Sequence, residues 1–338
     1  MKIPIEEDKI ETLIDNAHES RAERPRPHMG ASMLGLPCDR WLWLSFRWAV
    51  IPKFEGRLLR LFRRGHREEE VIKEDLRLAG IQVRDLEDQD RVDFGAHVSG
   101  SIDAIIDGGV PEAPHKPHIG EFKTHSLKSF TKLEASGVQK AKPEHWAQMQ
   151  VYMHGKDIDR ALYVAVCKDN DRLYTERVRY DRKAAEKLVE RGQRIALANR
   201  MPPPISTDPT WWECRFCAAH EFCHKTKLTK EVNCRTCAHL TPQDDSTWHC
   251  ERYDAEVAYE HQHAGKDCPA HVLHPDLVPW KMRDSEYEWT AVYEVDGVIV
   301  TNGERGASSS EILVNPAGCA NKVVAEIKKV WPGSKVVK

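Results

Sequence analysis

"GSIDAIIDGG" at residues 100–109 and "HIGEFKTHS" at residues 118–126 are two runs of strand-like character joined by a proline-broken loop. Side chains alternate across a strand, so Glu121 and Lys123 point to one face and Phe122, between them, to the other. If the run carrying Asp103 pairs beside them, two carboxylates and an ammonium meet. Carboxylates held together repel and raise each other's pKa unless a cation sits between them. Oxygen ligands of this kind suit Mg²⁺ or Mn²⁺, which bind through one or two carboxylates plus substrate phosphate. A neighbouring lysine can orient or deprotonate an attacking water and neutralise charge developing on a phosphodiester. The bland alternative is a solvated strand pair with a turn aspartate.

Outward from this pair, the pattern alternates between helix and strand. Residues 5–23 read as an amphipathic helix, with Ile10, Leu13, Ile14 and Ala17 at helical spacing, stopped by "RPRPH". A second helix runs from Phe54 to a cap at Gly80. "IQVRD", "RVDFGAHVSGSIDAIIDG" and "HIGEFKT" form an antiparallel run of strands, and "AKPEHWAQMQVYMHG" returns to helix. "RALYVAVCKDNDRLYTERVRY" reads as a hairpin turning at Asp169–Asp171, followed by the helix "DRKAAEKLVERGQRIALANR" and the linker-like "MPPPISTDPT". Two cysteine-rich segments follow. The tail has strands either side of Asp296-Gly297, a hairpin signal, and a short final helix from Ala317 to Trp331. This order predicts an α/β fold: a mixed central sheet flanked by helices over residues 1–226, a small Cys-rich module over 227–280 and a β-rich C-terminal region over 281–338.

With 338 residues, 41% hydrophobic and 30% charged, the chain is long enough for about two globular domains. No stretch reaches the ~18 consecutive apolar residues of a membrane span, and the acidic start lacks the features of a signal peptide, so a cytoplasmic location with no membrane partner is expected. A net charge of −3 excludes a global basic footprint, so DNA binding must rest on a local patch. Residues 40–67 offer one: eight Arg and Lys against the single acid Glu55, interleaved with Trp41, Trp43 and Trp48. The tryptophans read as core. Arg60, Arg63, Arg64 and Arg67, which recur around His66, read as DNA contacts.

Asp-x(n)-Glu-x-Lys is a nuclease signature that becomes specific only in company. "RGHREEE" places His66 on a helix upstream, and "AQMQVY" sets Gln148 and Tyr152 one helical turn apart. In this order, with "GSID" and "EFK", the chain resembles the RecB-like branch of the PD-(D/E)XK nuclease superfamily. The resemblance implies that His66, Asp103 and Glu121 bind Mg²⁺ or Mn²⁺, that Lys123 is catalytic, and that Gln148 and Tyr152 support the site or the DNA. It also implies a DNA exonuclease acting at ends, with single strands as a substrate, in recombination, repair or the processing of foreign or viral DNA. Two alternatives stay open: an endonuclease on branched or duplex DNA, and a DNA-binding or assembly scaffold with a degenerate nuclease site.

Ten cysteines in a chain without an export signal point to metal ligands rather than disulfides. Cys38, followed about 175 residues later by Cys214, Cys217 and Cys223, is similar to the iron–sulfur staple of AddB-type nucleases and CRISPR-associated RecB-like exonucleases. That likeness implies a [4Fe-4S] cluster pinning the first helical segment to the end of the nuclease domain. A rival partition pairs Cys214-x-x-Cys217 with Cys234-x-x-Cys237 as a zinc ribbon, the two separated by sixteen residues. It strands four other cysteines. The staple instead leaves Cys234, Cys237, Cys250 and Cys268 as a second set, read as a structural Zn²⁺ site in which His261, His263 or His271 could replace a later ligand. Cys167 and Cys319 read as buried apolar residues. The C-terminal module offers a docking surface for a protein partner.

Overall fold

The computed structural model describes residues 9–84, 91–295 and 297–320, with residues 327, 330, 331 and 334 beyond; the start of the first expected helix, Asp296 of the expected hairpin and most of the expected final helix lie outside the described residues. The central sheet has five strands: β1 (Val83–Arg84), β2 (Ala104–Ile106), β3 (His118–His125), β4 (Arg160–Cys167) and β5 (Leu173–Arg179), in spatial order β5-β4-β3-β2-β1. Neighbours are antiparallel except β3 and β4, which run parallel. A parallel pair needs a crossover. Around the sheet lie α1 (Ile10–Glu19), α2 (Asp39–Phe46), α3 (Gly56–Leu78), α4 (Leu127–Ala141), α5 (Pro143–Lys156) and α6 (Arg182–Ala196), of which α4 and α5 make that crossover. The mixed α/β architecture is the expected one. No helix among the described residues is long and apolar enough to cross a membrane.

Two helices escape a reading by period alone. α2 is short and buries Leu42, Trp43, Leu44 and Phe46, so its apolar residues are consecutive rather than spaced. α4 is kinked by Gly137 at φ 71, and the amide of Val138 after the kink donates to Glu176 Oε2 at 2.7 Å.

The sheet has a buried core on each face. Ile72 of α3 packs with Val83, Ile106, Phe122 and Val164 on one face. On the other, Ile119 and Tyr163 pack with Trp43, Phe130 and Met149, and this cluster takes in Leu240, Trp248 and Leu277 from the cysteine-rich segment. That segment also has its own short sheet, Leu240–Pro242, Trp248–Cys250 and Ala255–Glu256. A second three-stranded sheet, Lys281–Arg283, Thr290–Val295 and Val298–Gly303, holds the expected hairpin with Val295 opposite Val298.

Gly100 leads into β2 where the chain passes α5. A Cβ there would lie 2.7 Å from Tyr152 Oη and 2.8 Å from Ala31 Cβ. Gly100→Ala is therefore expected to lower stability by about 1–3 kcal/mol through overpacking, read by urea denaturation. A change below ~0.5 kcal/mol would show that the contact relaxes freely.

Candidate active site

The antiparallel register pairs Ala104 with Gly120, which places Asp103 opposite Glu121. Asp103 Oδ2 accepts from the amide of Phe122 at 3.0 Å and from Lys123 Nζ at 3.1 Å. Lys123 Nζ also donates to the carbonyl of Phe122 at 2.9 Å and stands 2.5 Å from Glu121 Oε1. The three charged groups thus converge as the strand alternation requires. Glu121 is wholly buried, its Oε1 ion-paired with the ammonium and its Oε2 without a partner among the described residues.

Burial pushes the Glu121 carboxyl up to about 8, with Lys123 pulling against the rise and Asp103 adding to it. Burial also works against the Lys123 charge, yet Glu121 and Asp103 outweigh it and hold the ammonium above its ordinary range. A further carboxylate, Glu69 of α3, lies within electrostatic reach of Asp103, Lys123 and Glu121, and its own carboxyl is raised by burial and then by Asp103. Three acidic groups gathered around one ammonium in a poorly solvated pocket favour a divalent cation, which would relieve their repulsion and partner Glu121 Oε2.

Gln148 and Tyr152 are buried on α5, their side chains hydrogen-bonded to each other, and the Tyr152 hydroxyl is kept un-ionised by burial and then by the Glu121 and Asp103 charges. His66 is not gathered in: its side chain is 77% exposed, and its nearest charged partner is Glu69, with Nδ1 3.6 Å from Oε2. Glu69 is the residue that sequence reasoning missed. The available signal was helical spacing, since Glu69 lies one turn before the inward-facing Ile72 and about two before Leu76. Also missed was Tyr163 of β4, opposite Glu121 in the register, whose hydroxyl is shared by His125 Nε2 at 2.8 Å and His145 Nδ1 at 2.9 Å. His125 follows Lys123 by two residues and so shares its face. Burial lowers both imidazoles, to about 4 for His125 and about 3 for His145. They form an uncharged network beneath the trio.

Of the four arginines, Arg60 is half-buried and ion-paired with Asp15 of α1, whereas Arg63, Arg64 and Arg67 are exposed on α3. Trp43 and Trp48 are core residues, and Trp41 is half-buried.

None of the ten cysteines is in a disulfide. Cys38, Cys214, Cys217 and Cys223 line one pocket, and Cys234, Cys237, Cys250 and Cys268 line another. At the first, the amide of Ala219 donates to Cys217 Sγ at 3.4 Å, and Arg40 hydrogen-bonds Cys223. Burial raises the Cys214, Cys217 and Cys223 thiols, against which the Ala219 amide acts at Cys217 and Arg40 at Cys223. Among the described residues, no group of three or more His, Cys, Asp or Glu is arranged to hold a metal ion. Of the histidines that might have joined the second set, His271 has both ring nitrogens engaged, Nδ1 with Ser309 Oγ at 2.7 Å and Nε2 with the Asn233 carbonyl at 2.9 Å. His263 is stacked on Trp48 with ring centroids 4.4 Å apart, and His261 borders the pocket.

The family model of the PD-(D/E)XK nuclease superfamily matches residues 5–224. No curated protein matches the chain in sequence. Solved structures similar to it include that of SSO0001, at 15% identity with 64% of this chain and 96% of that one covered and a TM-score of 0.40. An alkaline exonuclease from Laribacter hongkongensis aligns at 15% identity over 53% of this chain and 90% of its own, with a TM-score of 0.33. A phage-related exonuclease from Haemophilus somnus 129PT aligns at 20% identity over 38% of this chain and 66% of its own, with a TM-score of 0.30.

Proposed function

Because the chain belongs to the PD-(D/E)XK nuclease superfamily and is thus a metal-dependent nuclease, we propose that Asp103, Glu121 and Lys123 form its catalytic centre and that it hydrolyses DNA from an end. The observation carrying the assignment is Glu121, a wholly buried acid beside Asp103 whose Oε1 meets the Lys123 ammonium at 2.5 Å and whose Oε2 has no partner among the described residues. Asp103 and Glu121 are the residues that would hold Mg²⁺ or Mn²⁺, which when bound lowers the pKa of a ligated water. Lys123, held charged by its two carboxylates, is suited to orienting the water and neutralising the phosphodiester rather than to taking a proton. Tyr152, buried within electrostatic reach of Glu121 and Asp103, and its partner Gln148 support the site from α5. Exposed Arg63, Arg64 and Arg67 offer the DNA backbone its positive charge. Action at ends, with single strands as a substrate, and a role in recombination, repair or foreign-DNA processing rest on the order of the RecB-like motifs.

The test is metal-dependent cleavage of end-labelled single- and double-stranded DNA with Mg²⁺ or Mn²⁺. Stepwise shortening supports the exonuclease, internal cuts the endonuclease, and no cleavage by iron-replete protein would sink both in favour of a DNA-binding scaffold. Within the same assay, Glu69→Ala is expected to lower the rate by roughly 10–100-fold by altering the charge around the metal ligands. His66→Ala should stay within about threefold of the parent. The reverse order would return His66 to the metal.

We also assign a [4Fe-4S] cluster to Cys38, Cys214, Cys217 and Cys223, closing a nuclease unit of residues 1–226. Their shared pocket and the long span between Cys38 and the rest support this reading. Anaerobically purified Cys38→Ala is expected to lose its iron and visible absorbance and to melt at lower temperature. Unchanged iron content would remove Cys38 from the ligand set.

A further inference from the structure

The cysteines beyond the nuclease unit lie in a segment that no family match covers, yet it is built into the nuclease core. Cys234 and Cys237 bracket a single 3₁₀ turn, Cys234–Thr236, that begins in a reciprocal cap: the Asn233 side chain accepts from the amide of Arg235 at 3.0 Å, and Thr236 Oγ1 from the amide of Asn233 at 3.1 Å. Two backbone amides, those of His239 at 3.5 Å and Val272 at 3.4 Å, donate to Cys237 Sγ. Burial works against a Cys237 thiolate and pushes the thiol up to about 12, while these two amides pull the other way. Cys250 ends a strand and Cys268 follows a separate 3₁₀ turn, so the sulfurs around this pocket come from three local structures. With both His271 nitrogens engaged elsewhere and His263 stacked on Trp48, His261 at the pocket border is the one of these three histidines that stands beside the four cysteines.

Arg235, inside the Cys-x-x-Cys turn, is almost wholly buried. Its guanidinium donates to the carbonyls of Phe46 and Pro27 and to Gln262 Oε1, each at 2.7 Å, and lies 3.8 Å from the centre of the Trp48 ring. Asn233 Nδ2 donates to the Trp48 carbonyl at 3.2 Å, and Thr229 Oγ1 to that of Ala49 at 2.7 Å. The turn thus grips residues 27–49, the same stretch that carries Cys38.

We propose that Cys234, Cys237, Cys250 and Cys268 bind one zinc ion, and that this ion holds the turn rigid so that Arg235 locks the 27–49 segment onto the nuclease core. Each thiol gives up its proton on binding, and the resulting centre, four thiolates around one Zn²⁺, carries a net charge of about 2−. Arg47, buried and within electrostatic reach of Cys237, offers compensating charge.

Metal analysis of the full-length, anaerobically purified chain tests this without reference to cleavage. About one zinc per chain is expected, retained in Cys38→Ala and lost in Cys250→Ser/Cys268→Ser while iron remains. Should the double variant fail to fold, the wild-type chain still decides: a zinc chelator is expected to shift tryptophan emission, because Trp48 and Trp248 flank Arg235, and to lower the melting temperature, with zinc restoring both. Absence of zinc, zinc unchanged in a folded double variant, or stoichiometric iron persisting in Cys38→Ala would each overturn the proposal. A chain inactive as a nuclease but holding zinc leaves it standing.

Discussion

Lys123→Ala is expected to cut metal-dependent DNA cleavage by about 10²–10³-fold, the scale of removing one preorganised charge from a developing oxyanion. The same substitution strips Glu121, wholly buried and without another donor, of the ammonium 2.5 Å away, and takes from Asp103 its contact at 3.1 Å. Breaking a buried pair costs up to about 3–5 kcal/mol, and less where Glu121, already pushed up to about 8, takes up a proton once Lys123 is gone. Urea unfolding without divalent metal should therefore show a destabilised variant, and Mn²⁺ should recover more stability in Lys123→Ala than in the parent, because the cation then meets an unopposed carboxylate pair. Parental cleavage by the variant would remove Lys123 from the centre, whereas lost cleavage without the metal-reversible instability would mean that Glu121 does not face the cation.

Arg235→Leu is expected to cost about 3–5 kcal/mol, since three acceptors, the carbonyls of Phe46 and Pro27 and Gln262 Oε1, lose a buried charged donor at once. Stacking on Trp48 and Trp248 is lost as well. Chemical denaturation measures the loss. Zinc content should survive in the folded fraction, because the Arg235 side chain points away from the sulfurs into the core. A variant as stable as the parent would show that this segment holds residues 27–49 by apolar packing alone, through Leu240 and Trp248.

Strand alternation made the pairing of Glu121 with Lys123 readable from three consecutive residues, because period 2 is a local property of the backbone. The approach of Asp103 was readable only as a condition on strand pairing, which the register of Ala104 with Gly120 meets. His66 and Glu69 differ by three residues on α3, so which one faces the trio depends on how the helix is rotated against the sheet. Burial of Ile72 sets that rotation, and it turns Glu69 rather than His66 inward. α4 was hidden for a different reason: Gly137 interrupts its period, and a side chain from β5, Glu176, takes up the amide after the break.

By itself, the sequence determined the α/β class and the shared strand face of Glu121 and Lys123, because a period of two is carried by neighbouring residues. The division of eight cysteines into two sets of four came instead from a family resemblance reaching across about 175 residues, beside a rival zinc-ribbon partition. Only the tertiary structure decided that Glu69 joins the trio and that two histidines share Tyr163 beneath it. It also decided that Arg60 is spent on Asp15 and that Arg235 reaches from a Cys-x-x-Cys turn to Phe46 and Pro27. Those outcomes depend on which surfaces meet when distant segments bury their apolar faces together, a long-range choice that no local period encodes.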